Sequence, residues 1–138
     1  MERLYLDANV FIFAALNDGE YGEYARKLIK DIIELKFEAF TSTLTFDEVV
    51  WRIRKEKSLV ASIEAGFGIL VLPNLIFIDV TKDILWSAYD TMLKHKIKPR
   101  DAIHAACALS KGIKTIISED PDFDKIPGLK RKGLIKVK

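Results

Sequence analysis

Residues 99–126 read PRDAIHAACALSKGIKTIISEDPDFDKI, and this run decides the fold. Pro99 opens a helix, because its fixed φ suits a first helical position and its missing N–H would be unbonded there in any case. Alanines and other apolar residues carry the helix to about Ser110, and Gly112 ends it. Lys114 to Ile117 then reads as a short buried strand that leads into an acidic loop, where Asp120 precedes Pro121 as an N-cap would.

The same alternation runs outward through the chain. Arg3 to Leu6 reads as a buried strand, with Asp7 at the boundary of an apolar helix from Ala8 to Leu16. An amphipathic helix, Glu20 to Leu35, precedes a strand at Glu38 to Thr41. Helices at Thr43 to Lys55 and Ser58 to Leu70 are separated by the charged Lys55 to Lys57 corner, and Leu75 to Val80 is a third strand. Asp83 to Lys94 is amphipathic, and Gly133 introduces a fifth strand at Leu134 to Val137. The order β-α-α-β-α-α-β-α-α-β-β predicts an α/β fold: a three-layer α/β/α sandwich around a mainly parallel central sheet of about five strands. Without a long linker, repeat or low-complexity segment, residues 1–138 read as a single domain.

Composition agrees with an ordinary globule. A chain of 138 residues, 49% apolar and 30% charged, buries about two thirds of its unfolded surface around one core. The lone Cys107 has no partner for a bridge and no suitably spaced ligands for zinc, so it reads as a buried spectator. No apolar run reaches the roughly 18 residues of a membrane span and no leader pattern opens the chain, so the expected location is cytoplasmic. The absence of Gln and abundance of Lys, Glu and Ile lean towards a thermophilic source. The net charge of +2 conceals a basic tail, including Lys125, Lys130, Arg131, Lys132, Lys136 and Lys138, and a second basic run from His95 to Arg100. Such runs are solvated faces or grips for a polyanion flanking an acidic centre.

That centre is the second signal. Asp7, Glu48, Asp101 and Asp120 each lie at or near the start of a helix or helical turn. In a parallel sheet ligands bind beyond the carboxyl ends of the strands, where these acids would meet. Each has a local explanation: Asp7 and Asp120 as N-caps, Glu48 in a capping box with Thr45, Asp101 in the first turn beside Pro99. Four acids on one edge exceed what capping requires, and clustered carboxylates call for a divalent cation. Mg²⁺ or Mn²⁺ suits such hard oxygen ligands, which points to phosphodiester hydrolysis by metal-activated water.

The combination of LDANVFI (6–12), TFDEVVW (45–51), PRDAIHAACA (99–108) and IISEDPDFDKI (116–126) resembles the PIN domain family of metal-dependent ribonucleases. Within that family it is most similar to the small stand-alone toxins of the VapC type. The likeness runs over essentially the whole chain in order and spacing; RDAIHAA followed by S-x-D-x-D-F-D is its most specific part. The resemblance implies that Asp7, Glu48, Asp101 and Asp120 are the metal-binding and catalytic acids, with Asn9 and Ser118 supporting them. Asp122 is a further candidate ligand, and Asp124 is expected to order the loop. The resemblance also implies Mg²⁺ or Mn²⁺, an RNA substrate, a homodimer, and an antitoxin protein docked along a groove of the early helices around Phe11 to Leu16 and Trp51 to Arg54.

Several single residues remain open at this level. Asp47 competes with Glu48, and the helix phase and the family pattern favour Glu48. His104, one turn after Asp101 among Ala and Ile, reads as a packed, hydrogen-bonded core histidine before it reads as a general base. Arg100 either binds phosphate or pairs with an acid; with Lys130, Arg131 and Lys132 it completes the candidate RNA contacts. Phe11, Phe13, Trp51, Phe67 and Trp86 fall within helices and are expected in the core, though a surplus would suit an interface.

Other functions fit less well. A haloacid-dehalogenase-like phosphatase needs D-x-D after the first strand, where this chain has Asn9, and a phosphate-holding lysine near the metal acids, for which no clear candidate precedes residue 116. A two-component receiver needs paired acids after the first strand. A stand-alone RNA-processing nuclease, or a non-catalytic RNA- or protein-binding module of the same fold, remains as the alternative.

Overall fold

The computed structural model of the chain describes residues 1–136. Its centre is a five-stranded sheet, all parallel, built from β1 (Arg3–Leu6), β2 (Glu38–Ser42), β3 (Leu75–Ile78), β4 (Thr115–Ile117) and β5 (Lys130–Lys132), in the order β3-β2-β1-β4-β5. The order reverses at β1, so the connections leaving β1 and β4 diverge and open a crevice at their carboxyl ends.

Period-two alternation splits the core. Leu4, Leu6, Ala39 and Ile117 face one side of the sheet and pack under α1 (Ala8–Leu16), α2 (Glu20–Ile33), α3 (Thr43–Glu56) and α4 (Leu59–Leu70). Tyr5, Phe40, Ile78 and Ile116 face the other side, under α5 (Lys82–His95) and α6 (Pro99–Ser110). Both faces are covered, as an all-parallel sheet requires. The α3–α4 hairpin closes tightly at Gly66, where a Cβ would stand 2.9 Å from side-chain carbons of Phe46 and Val50. Cys107 is free and fully buried in α6.

Three expectations are corrected. The last strand is Lys130–Lys132, not Leu134 to Val137; Leu134–Lys136 forms a 3₁₀ turn, and Val137 and Lys138 lie outside the described residues. A charged strand suits a sheet edge, where lysines discourage further pairing, while Leu134 is buried on the α2 side with its N–H donated to Glu119. The Thr45–Glu48 capping box does not form. Helix α3 starts at Thr43 with Ser42 at its cap position, three residues before a Thr45 cap would place it, and the buried Thr45 hydroxyl bonds Thr41 at 2.6 Å instead. The aromatic residues divide: Phe11 is buried, but Trp51, Phe67 and Trp86 are 58%, 66% and 62% exposed. A helix with apolar residues on both faces, such as α4, can bury only one of them.

Candidate active site

Asp7 leaves the end of β1 and caps α1. Its Oδ1 accepts from the Ala8 amide at 2.7 Å, and its Oδ2 accepts from the Ser118 hydroxyl at 2.6 Å. Ser118 follows β4 and is fully buried; its oxygen in turn accepts from Asn9 Nδ2 at 3.2 Å and from the Asp120 amide at 3.0 Å. One hydroxyl therefore ties the ends of β1 and β4 to the start of α1.

Asp120 caps the 3₁₀ turn Pro121–Lys125, accepting from the Asp122 amide at 2.9 Å. Asp101 sits in the first turn of α6 and is 8% exposed; its Oδ2 is buried with no hydrogen-bond partner. Oxygens of Asp101, Asp120 and Asp122 all lie within 4.8 Å of one another. Glu48 comes from α3, with its Oε1 hydrogen-bonded to His104 Nε2, whereas Asp47 is exposed, which separates the two neighbours. Asp7, Glu48, Asp101 and Asp120 line one open cavity of about 620 Å³, together with Asn9 and the basic residues Arg52, Lys98 and Arg100.

The electrostatics follow from crowding and burial. Burial raises the Asp7 carboxyl above its ordinary value, against the opposing pull of His104 and Ser118. Burial, then the negative charge of Asp120, push Asp101 up to about 7. For Asp120 burial acts upward, but the Asp122 amide, Asp101 and Lys98 outweigh it, and the net direction is down. Burial alone would lower His104; the hydrogen bond to Glu48 and the nearby Asp7 reverse it to a net rise. Burial holds the Tyr5 phenol well above its usual range, so it remains an O–H.

The residues fit a divalent cation. The donors are hard carboxylate oxygens, several are held by fixed hydrogen bonds, and the unpartnered Asp101 Oδ2 is a buried acceptor that a cation would satisfy.

Other candidates fall elsewhere. Arg131 grips Asp124 through Nε at 3.0 Å and a terminal nitrogen at 3.1 Å, and reaches the Ser118 carbonyl at 3.2 Å, so both side chains order the loop. Lys132 pairs with Glu2 at 3.2 Å, and Lys130 lies exposed on the edge strand. Arg100 is on the cavity rim. Two residues not singled out from sequence join it: Arg52, one turn after Glu48 on α3, and Lys98, whose Nζ stands 3.6 Å from Asp120 and 3.9 Å from Asp122. The expectation that no clear candidate for a lysine near the metal acids precedes residue 116 is thus corrected by Lys98. The i,i+4 spacing from Glu48 marks Arg52, and the position before Pro99 places Lys98 at a helix entrance; both signals were readable.

The apolar groove of the early helices runs along Phe11, Ala14 and Ala15 of α1, and its other walls are Arg26 and Ile29 of α2 and Ala65, Gly68 and Ile69 of α4. Trp51 to Arg54 does not line it. Among the described residues no helix is long and apolar enough to cross a membrane.

The fold has counterparts among known proteins. No curated protein matches the sequence. Among solved structures, the chain is similar to the sarcin-ricin loop cleaving toxin VapC20 of Mycobacterium tuberculosis, with 18% identity, a TM-score of 0.75, and 88% of this chain and 92% of that one covered. It is also similar to DNA-bound VapBC from Salmonella typhimurium (18% identity, TM-score 0.74, 97% and 99% covered) and to VapBC-1 from nontypeable Haemophilus influenzae (18%, 0.68, 97% and 99%). At these identities the likeness establishes the fold. The PIN domain family model matches residues 4–129, a span holding every acid of the cavity, and the chain belongs to the PIN domain family.

Proposed function

We propose that this PIN domain is a Mg²⁺- or Mn²⁺-dependent endoribonuclease and the toxin of a toxin–antitoxin pair, acting as one unit over residues 1–138. The observation that carries the reading is the meeting of Asp7, Glu48, Asp101 and Asp120 in one cavity, with a buried Asp101 oxygen that no protein donor satisfies. Asp101 and Asp120, whose oxygens cluster with one of Asp122, would hold the ion, and Asp7 and Glu48, which line the same cavity, would complete the set. A bound Mg²⁺ or Mn²⁺ supplies a water of lowered pKa and neutralises charge developing on the phosphate.

The protein's own groups do the rest. Ser118 and Asn9 fix the Asp7 carboxylate, so it need not reorganise on binding. Arg100 and Arg52 line the cavity and would serve as cationic partners for the phosphates of a bound RNA. The toxin assignment is supported by the VapC and VapBC structures of the same fold. A homodimer and an antitoxin are proposed on the same ground, and the apolar groove of α1, α2 and α4 and the exposed aromatics of α4 and α5 offer them surface.

The test is cleavage of single-stranded RNA by the purified chain in Mn²⁺ or Mg²⁺ and in EDTA, alongside Asp7→Asn and Asp101→Asn. Cleavage should need the metal and vanish in both variants, and the wild type expressed alone should slow host growth. Activity that survives EDTA overturns the metal reading. An active but harmless wild type that copurifies with no protein encoded beside it overturns the toxin reading.

A further inference from the structure

His104 is the only fully buried imidazole of the chain, and nothing in the acidic set explains why it is there. It lies on α6, one turn beyond Asp101, between two elements that have no reason to meet around a histidine. On one side its Nδ1 is 2.7 Å from the Tyr5 hydroxyl of β1, with the two rings edge to face at 5.6 Å. On the other its Nε2 bonds Glu48 Oε1 of α3 and stands 3.5 Å from Asp7 Oδ1.

The hydrogens of this chain follow from chemistry. An ionised carboxylate offers only lone pairs, so the hydrogen between Nε2 and Oε1 belongs to the imidazole. A neutral ring with its hydrogen on Nε2 accepts the Tyr5 O–H at Nδ1, a protonated ring donates Nδ1–H to the Tyr5 oxygen instead, and in both Nε2–H faces Glu48.

Glu48 needs such a hold. Its side chain has three rotatable bonds, reaches the cavity from the middle of a helix, and lies four residues before Arg52, a spacing at which a glutamate ordinarily folds along the helix onto the cation. In this protein Arg52 pairs with Glu56 instead, and Glu48 turns to His104. We infer that Tyr5 and His104 are positioning residues that hold Glu48 beside Asp7 through Oε1 and leave Oε2 for a metal ion. This deepens the metal-dependent reading above and rests on it. Partners of this kind, one bond removed from the ion, orient the ligand and prevent its reorganisation on binding.

The test reads Mn²⁺ binding to the full chain by calorimetry, without recourse to activity. His104→Leu fills the space and removes the donor, and should weaken Mn²⁺ about tenfold or more. His104→Gln places an amide N–H near the Nε2 position and should restore most of the affinity, which a purely space-filling histidine would not predict. Tyr5→Phe keeps the ring and loses the hydroxyl; it should fall between, and it covers the case in which His104→Leu fails to fold. In a Glu48→Gln background, His104→Leu should cost little more, because the histidine acts through that carboxylate. A downfield Nε2–H proton resonance, readily assigned with only two histidines in the chain, should be present in wild type and lost in Glu48→Ala. Wild-type affinity in folded His104→Leu or Tyr5→Phe, or full additivity with Glu48→Gln, overturns the positioning role alone. A wild-type protein that binds no Mn²⁺ overturns the metal reading and this one with it.

Discussion

The Ser118 hydroxyl donates to Asp7 Oδ2 at 2.6 Å across 111 positions of sequence, and joins the carboxyl ends of β4 and β1 where the sheet order reverses. Because the same oxygen accepts from Asn9 and from the Asp120 amide, two acids and one amide share a single hub. Ser118→Ala should therefore cost about 2 kcal/mol, since it leaves buried polar groups unpaired. Ser118→Thr keeps the donor and should keep most of the stability. Urea unfolding of the three proteins checks this, and a wild-type midpoint in Ser118→Ala would remove the hub.

Asp101 and Asp7 should respond differently to loss of charge. Asp101 Oδ2 has no donor, so Asp101→Asn removes a desolvated, repelled charge and should raise the metal-free melting temperature by about 3 °C or more. Asp7 has donors on both oxygens, and Asp7→Asn turns one of these acceptors into an N–H donor, so its melting temperature should stay or fall. Excess Mn²⁺ should reverse the ranking by stabilising only the wild type appreciably.

The pH dependence has a definite sign. Asp101 moves from 3.8 to about 7, and Asp7 and His104 are also raised. In each the folded state holds its proton more tightly than the unfolded chain. Stability of the metal-free protein should thus be greatest near pH 4 and fall as pH rises towards about 7. Asp120, which is lowered, acts oppositely but only in more acid solution. Mn²⁺ must displace the Asp101 proton, so its affinity should climb over the same window and level off above it. Melting curves and calorimetric titrations between pH 4 and 8 show both trends, and metal-free stability that rises through this range would contradict them.

The cations that matter for a polyanion should be those of the rim. Arg131 and Lys132 are engaged with Asp124 and Glu2 away from the cavity, whereas Arg100 and Arg52 line it, Arg52 while paired with the exposed Glu56. Arg52→Gln and Arg100→Gln should each lower the slope of log affinity for single-stranded RNA against log salt by roughly 0.7. Neutralising Lys130, Arg131 and Lys132 together should change it less. Equal slopes for wild type and the rim variants would return the β5 lysines to candidacy.

The acids of the site were legible because their chemistry is local to motifs. LDANVFI, PRDAIHAACA and IISEDPDFDKI each place a carboxylate directly after a strand or in a first helical turn, and capping favours it there whether or not it has a further role. Helix bounds were nearly right for the same reason: caps, Pro99 and Gly112 act within a few residues. The fifth strand was misplaced because Lys130–Lys132 has no apolar alternation, and only the open edge of β4 makes those residues extended. The exposed Trp51, Phe67 and Trp86 misled because hydrophobicity alone does not say which of two apolar helix faces finds the sheet.

The sequence by itself determined the order of strands and helices as far as β4, the mainly parallel layered class and which acids were candidates for the site, since periodicity, caps and turns are set by neighbours along the chain. Only the tertiary structure decided which groups those acids meet: Ser118 on Asp7, Lys98 on Asp120 and Asp122, Arg131 on Asp124, and the Tyr5–His104 pair on Glu48. All but the Arg131–Asp124 pair, seven positions apart, join residues far apart in sequence. Their hydrogen bonds exist only once sheet order and register have brought donor and acceptor atoms within about 3 Å of one another, a distance no local pattern specifies.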